Sequence, residues 1–207
     1  MTATGLRERK KQKTKAAIQR EAMRLFKKRG YEETTIEQIA AAAEISPSTF
    51  FNYFPTKEDV VIYDEYDPQV FAALAAGPRD EPLSQSLKLL LETLGSVFET
   101  DRDIIYERAK LSVEVPELRA RTWEELEKAR DLFGNIIALR TGRDAGDFEV
   151  RVISITLVAA AFEATLEWVR GGGRERMIDL FQRAMDAAGL YSLLDKLDKK
   201  QIGRAHV

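Results

Sequence analysis

TTIEQIAAAAEISPSTFFNYFPTKED, residues Thr34–Asp59, is the stretch whose reading decides the fold. Thr34 and Thr35 stand three places before Glu37 and Gln38, the spacing of a capping box, so either threonine can open a helix. Ile36, Ile39, Ala40 and Ala43 then recur at helical spacing. Ala43-Glu44-Ile45 reads as a turn. Ser46 caps a second helix, and Pro47 suits its first position, where a missing N–H costs nothing. That helix, 47–54, buries Phe50 and Phe54 and turns Ser48, Thr49, Phe51 and Asn52 away. Tyr53 can serve core or surface. Pro55 stops the helix, and Thr56 caps the next, with Glu58 and Asp59 in its positive first turn.

Two short helices about a three-residue turn suit the DNA major groove: the second helix enters it while the first crosses the backbone. Base reading needs side chains projecting from the second helix, which makes Ser48, Thr49, Phe51 and Asn52 the candidates. Asn52 can pair bidentately with adenine, and Phe51 and the Thr49 methyl can meet a thymine methyl. Phe51 could instead pack on its own helix. Thr35 and Ser46 act as caps in either case.

The stretch resembles the DNA-binding domain of the tetracycline-repressor (TetR) family of bacterial regulators. The resemblance rests on Thr34-Thr35-Ile36, Ile39-Ala40, Ser46, the run Thr49-Phe50-Phe51-Asn52-Tyr53-Phe54, and Lys57-Glu58. It implies that Thr35, Ser46, Tyr53 and Lys57 touch the DNA backbone. One departure is Glu44, where many members carry glycine. If that position is left-handed, a side chain there is mildly strained.

Working outward, Thr14–Arg29 is expected to form a helix with Ile18, Ala22, Leu25 and Phe26 on one face, ended by Gly30. Residues 1–13 read as a disordered basic arm. Residues 1–57 hold 12 Lys/Arg against 6 Asp/Glu, a net +6, and the remaining residues hold 20 against 28, a net −8. A basic head on an acidic body fits a DNA-binding module joined to something else. Further helices are expected over 57–66, over a short piece from Asp67-Pro68 to Gly77-Pro78, and over 83–100, 102–113, 116 onward, 148–170 and 174–188. The fold class is therefore all-α: a three-helix head with a helix-turn-helix, followed by a helical ligand-binding and dimerisation body. The expected domains are 1–56 for DNA, 57–190 for ligand and dimer, and 191–207 as a tail. Its last residues, IGRAHV (202–207), resemble the in-frame translation of a sequencing adapter and are read as an artefact.

The composition excludes several chemistries. The chain has no cysteine and one histidine, His206, inside that suspect tail. Thiol chemistry, a histidine triad, zinc and a di-iron bundle all lack their residues, so no catalytic site, metal or cofactor is expected. Charged residues make up 32% and apolar residues 44% of the chain, as in a soluble globular protein. No signal peptide is visible, and the uncharged run 152–162 is too short for a bilayer, so no membrane is expected and the compartment reads as cytoplasmic.

By the resemblance, Phe98, Tyr106, Trp123, Phe133, Phe162, Thr165 and Trp168 lie on helices that line the family's ligand cavity. Ordinary core packing is the other role open to each. The FFNYFPTKED form of the motif, with VPELRAR (115–121), resembles actinobacterial members grouped as binding acyl-CoA-like effectors. Arg102, Arg108 and Arg140 are the cations such a head group could use. The last two long helices form the dimer bundle in the family, and helix 148–170, apolar on nearly every side, has more apolar surface than one domain covers. The implied partners are double-stranded operator DNA, a small-molecule effector and a second copy of the chain, with the protein released from a palindrome by its effector. The alternative from another class is an α-helical protein-interaction module whose helix-turn-helix only mimics a DNA reader.

Overall fold

The structure is a computed structural model that describes residues 3–63, 72, 74, 75, 77, 78 and 81–202. Among the described residues every regular element is a helix: α1 Ala3–Arg29, α2 Ile36–Ala42, α3 Pro47–Tyr53, α4 Lys57–Ile62, α5 Leu83–Thr100, α6 Arg102–Glu114, α7 Pro116–Thr141, α8 Phe148–Arg170, α9 Met177–Ala187 and α10 Leu190–Ile202. The expectations for residues 64–71, within the linking helix and the piece that follows it, lie outside the described residues, as does 203–207 of the suspect tail.

Two differences from the sequence reading stand out. First, α1 starts at Ala3, so the described part of the basic arm is helical. Its Arg, Glu, Lys and Gln residues are good helix formers, and nothing after Gly5 interrupts them. Second, residues 190–202, read as tail, form α10, which buries Leu190, Leu194 and Leu197. Gly189, at φ 63°, turns the chain between α9 and α10 without ending the fold.

The chain divides into two compact units. The first is Met1–Glu65 with Asp103–Thr122. Its core is Ile18, Ala22, Phe26, Ile39, Phe50, Phe54, Val60 and Val61, closed by Leu118 from α7. The packing therefore does not divide at 56/57. α4 belongs with the head, and so does the corner made by α6 and the start of α7. Lys27 bridges Glu107 at 2.9 Å, Arg108 Nε donates to the Val61 carbonyl at 3.0 Å, and Arg121 pairs with Asp59. Gln19, buried on α1, donates to the carbonyls of Val60 and Tyr63 at 2.8 and 2.7 Å. It thus satisfies acceptors that the C-terminal end of α4 leaves without helical partners.

The second unit is Tyr66–Arg102 with Trp123–Val207. Leucines of α5, Ile136 and Ile137 of α7, the inner face of α8, and α9 and α10 form one core. Within it α9 packs along α8, and α10 lies against α5 and α8. By length and composition alone α8 is apolar enough to cross a bilayer. In the structure Val150, Ile153, Ser154, Leu157, Val158, Ala164 and Trp168 make it a core helix of this unit. The expectation that α8 is buried all round does not hold. Phe148, Val152 and Ile155 are 72%, 41% and 40% exposed.

Candidate nucleic-acid interface

Local hydrogen bonds build the reading element before any long-range packing. Thr35 is the N-cap of α2: its Oγ1 accepts the Gln38 N–H at 3.3 Å, and the Gln38 side chain accepts the Thr35 N–H in return. Thr34 is not the cap. It is buried, and its hydroxyl donates to the Gly30 carbonyl at 2.8 Å. Ser46 caps α3, its Oγ accepting the Thr49 N–H at 3.0 Å and lying 2.9 Å from the Thr49 hydroxyl. Thr56 caps α4 through a box with Asp59, whose Oδ2 accepts the Thr56 N–H and hydroxyl at 2.9 and 2.8 Å. Each cap satisfies an otherwise orphaned donor, a contribution of about 1 kcal/mol.

The turn between α2 and α3 is a Schellman motif. Ile45 N–H returns to the Ala40 carbonyl at 2.9 Å and Glu44 N–H to the Ala41 carbonyl at 3.2 Å. The motif requires a left-handed residue after the cap, and Glu44 occupies it at φ 56°. Among the described residues it is the one non-glycine with positive φ. Its side chain is exposed and earns no printed contact that would offset the strain. Glu44→Gly is therefore expected to stabilise the protein by up to about 1 kcal/mol, or roughly 2–4 °C in Tm. An unchanged or lowered Tm in a calorimetric scan would contradict this.

Phe50 is fully buried and fixes the rotation of α3. Ser48, Phe51 and Asn52 consequently project into solvent, with Thr49 and Tyr53 half-buried. Phe51 is 51% exposed, and its ring stands edge-on to Phe50 at 5.7 Å. It uses its own helix as a support while keeping half of its surface free for a base. Lys57 differs from expectation. Its Nζ donates to the Tyr31 carbonyl at 2.9 Å and lies 4.1 Å from the Tyr31 ring centroid. An ammonium has three donors, so a phosphate contact would share this group with a structural clamp. Tyr31 is itself buried and donates to Glu58 at 3.0 Å. Burial and that bond push the Tyr31 hydroxyl above its ordinary pKa. Burial opposes ionisation of Glu58, but backbone and Thr56 hydrogen bonds hold its carboxyl below the usual range.

The seven residues expected around a ligand do not converge. Tyr106 belongs to the first unit and the other six to the second. Trp123 is 64% exposed. Trp168 is buried, its indole donating to the Glu175 carbonyl at 2.9 Å. Thr165 donates to the Ala161 carbonyl at 3.0 Å, Phe98 stacks edge-on with Phe181 at 6.1 Å, and Phe162 is half-buried. Phe133 alone of the seven borders the cavity in the second unit's core, with Leu74, Leu83, Leu87, Ile136, Ile137, Leu157 and Leu194. That cavity measures about 10 Å³, room for roughly one water molecule. The three arginines are not free cations at a cavity mouth. Arg102 donates to the carbonyls of Gly173 and Arg174, Arg108 to Val61, and Arg140 to Leu74, Pro78 and Glu81. Sequence reasoning missed Gln19 and the depth of Arg140, since both depend on acceptors far along the chain. No group of metal-ligating side chains occurs among the described residues.

Comparison with known proteins agrees with this geometry. The family model "Bacterial regulatory proteins, tetR family" matches residues 18–63, and the model "MftR C-terminal domain" matches residues 81–190. The HTH-type transcriptional regulator TcmR of Streptomyces glaucescens is 35% identical over 173 residues, covering 79% of this chain and 76% of its own. The crystal structure of Thermus thermophilus FadR, a TetR-family transcriptional repressor in complex with lauroyl-CoA, is 28% identical with a TM-score of 0.55, covering 84% of this chain and 92% of that one. Bacillus subtilis FadR in complex with stearoyl-CoA shares the fold at 19% identity and a TM-score of 0.59, covering 84% and 96%.

Proposed function

The chain belongs to the TetR family of bacterial transcriptional regulators, and from that premise we propose that it is a repressor, dimeric on a palindromic operator and released by a small apolar effector. It is a ligand-responsive DNA-binding regulator. The observation that carries the DNA reading is α3, capped by Ser46, anchored by Phe50 and presenting Ser48, Phe51 and Asn52 together. In this reading Thr35, Ser46, Tyr53 and Lys57 hold phosphates, while Ser48, Thr49, Phe51 and Asn52 face base edges. Residues 1–56 carry the DNA contacts and 57–190 those to effector and partner. The protein acts in the cytoplasm and catalyses no reaction.

Selection from a random duplex pool tests this. The enriched sequence should be a palindrome, and binding to it should fall steeply with added salt through counterion release. Asn52→Ala should relax preference at one base pair by about 1–3 kcal/mol. Tyr53→Ala should weaken all duplexes alike. Failure to enrich any sequence, or an Asn52 variant with unchanged preference, would leave the protein-interaction module as the better reading.

Support for the dimer comes from the outer face of α8. Phe148, Val152, Ile155, Ala159, Phe162 and Leu166 follow one another at intervals of four and three, the spacing of a helix–helix seam. The first three are the most exposed apolar side chains of the helix. A two-fold axis would let the stripe cover itself.

For the effector, the FadR complexes make acyl-CoA thioesters the first class to try. An acyl chain needs far more space than the cavity beside Phe133 offers, so binding in this reading selects an opened state of the second unit's core.

A further inference from the structure

Arg140 is 8% exposed, on α7 one turn beyond Ile136 of the cavity wall. Its Nη1 donates to the Leu74 carbonyl at 2.9 Å. Its Nη2 donates to the carbonyls of Pro78 and Glu81 at 2.8 and 3.0 Å and to the Ser86 hydroxyl at 3.2 Å. Every one of these acceptors is neutral. Among the described residues no carboxylate forms an ion pair with it. The Glu81 carboxylate is nearby, but it accepts from Ser86 at 2.6 Å. Buried charges are ordinarily paired, because a neutral acceptor returns less of the lost hydration than a counter-charge does. The packing leaves no slack: a Cβ on Gly77 would come within 2.5 Å of Arg140 Nη1. Leu74 links this group to the cavity, since its side chain lines the cavity while its carbonyl holds the guanidinium.

We infer that Arg140 is the anion receptor of the effector site, and that the effector is an apolar body carrying an oxyanion. The apolar part enlarges the cavity bordered by Leu74, Ile136 and Leu157. The oxyanion takes guanidinium donors now given to the carbonyls of Leu74, Pro78 and Glu81. A charge-assisted, bidentate pair replaces neutral hydrogen bonds, which favours the exchange once the cavity is open. Loss of those bonds would release the Leu74–Glu81 segment, so one event both binds the ligand and frees a stretch of chain. The oxyanion can be a carboxylate or a thioester's phosphate. This inference rests on the effector reading above, but its test uses DNA-free protein, so failure to bind an operator and failure to bind an anion are separate results.

The test measures binding of matched probes to the full chain: dodecanoate, its uncharged methyl ester and lauroyl-CoA, together with the fluorescent anion 1-anilinonaphthalene-8-sulfonate and its neutral counterpart N-phenyl-1-naphthylamine. At least one anion should bind one per chain, about tenfold or more tighter than its neutral partner. Arg140→Gln, which still donates to carbonyls, should erase that preference. Dodecanoate binding that is lost in Arg140→Gln identifies a carboxylate, and lauroyl-CoA binding alone identifies a phosphate; both support the assignment. If Arg140→Gln does not melt cooperatively, Ser86→Ala decides. It removes one competing acceptor and should tighten the anion several-fold, and unchanged or weaker binding counts against the site. Equal binding of acid and neutral probe in every pair, binding by none, or a preference that survives Arg140→Gln overturns the inference.

Discussion

Phe50→Ala should cost about 3–5 kcal/mol, the range for removing a fully buried aromatic ring. Phe50 is 0% exposed and lies 6.1 Å from Phe54 and 5.7 Å from Phe51, ring centre to ring centre. The head is small, and the loss is a large part of any stability a unit of that size possesses. The variant should therefore lose operator binding even though no base contact has been removed. Urea denaturation of the full chain followed by far-ultraviolet circular dichroism gives the measurement. A loss below about 1.5 kcal/mol would show that α3 can rotate or collapse to fill the space, and Phe50 would no longer be what fixes its phase.

The second large effect concerns α8. In the double variant Val152→Glu with Ile155→Glu, a two-fold interface would hold four new carboxylates. Desolvating unpaired charge costs several kcal/mol per interface, so dissociation should rise about a thousandfold or more. Sedimentation velocity should report monomers where the unaltered chain is dimeric at micromolar concentration. Helical content should remain, because both side chains already face solvent within the subunit. Val158→Glu provides the contrast. Val158 is 4% exposed and faces the core, so that variant should unfold rather than dissociate. An unaltered chain that sediments as a monomer, or a double variant that remains dimeric, would move the interface elsewhere.

The parts of the fold legible in the sequence are those decided within a few residues. Ser46, Pro47 and Thr49 cap α3 through bonds three residues long, so the helix-turn-helix could be read directly, including the left-handed position at Glu44. The limits of α8 were also legible, at Phe148 and Arg170, but its faces were not. A helix apolar on nearly every side carries no phase in its sequence, and only packing against α9 and α10 selects Val158 for the core and Ile155 for the surface. The missed helix α10 had a signal: Leu190, Leu194 and Leu197 repeat at helical intervals, and Gly189 drew attention away from them. The effector residues were the least legible. Whether an aromatic side chain lines a cavity depends on which elements stop short of filling it, and that is decided by neighbours distant in sequence. Arg140 is the clearest case, since Leu74, Pro78, Glu81 and Ser86 make it an interior residue.

The discontinuous first unit bears on how such regulators can be recombined. A chimera cut at residue 56 would keep every base-reading side chain, yet it would separate Phe26 and Phe54 from Val60, Val61 and Leu118, with which they share one core. The donor would leave behind Asp59 and Arg121, and the recipient would have to offer substitutes of matching shape. Transplanting the operator preference of this protein is therefore better done by exchanging Ser48, Thr49, Phe51 and Asn52 on a resident scaffold than by splicing whole segments. In inheritance, as at the bench, specificity here can drift one side chain at a time, while the surface beneath it must change in concert with a stretch more than forty residues downstream.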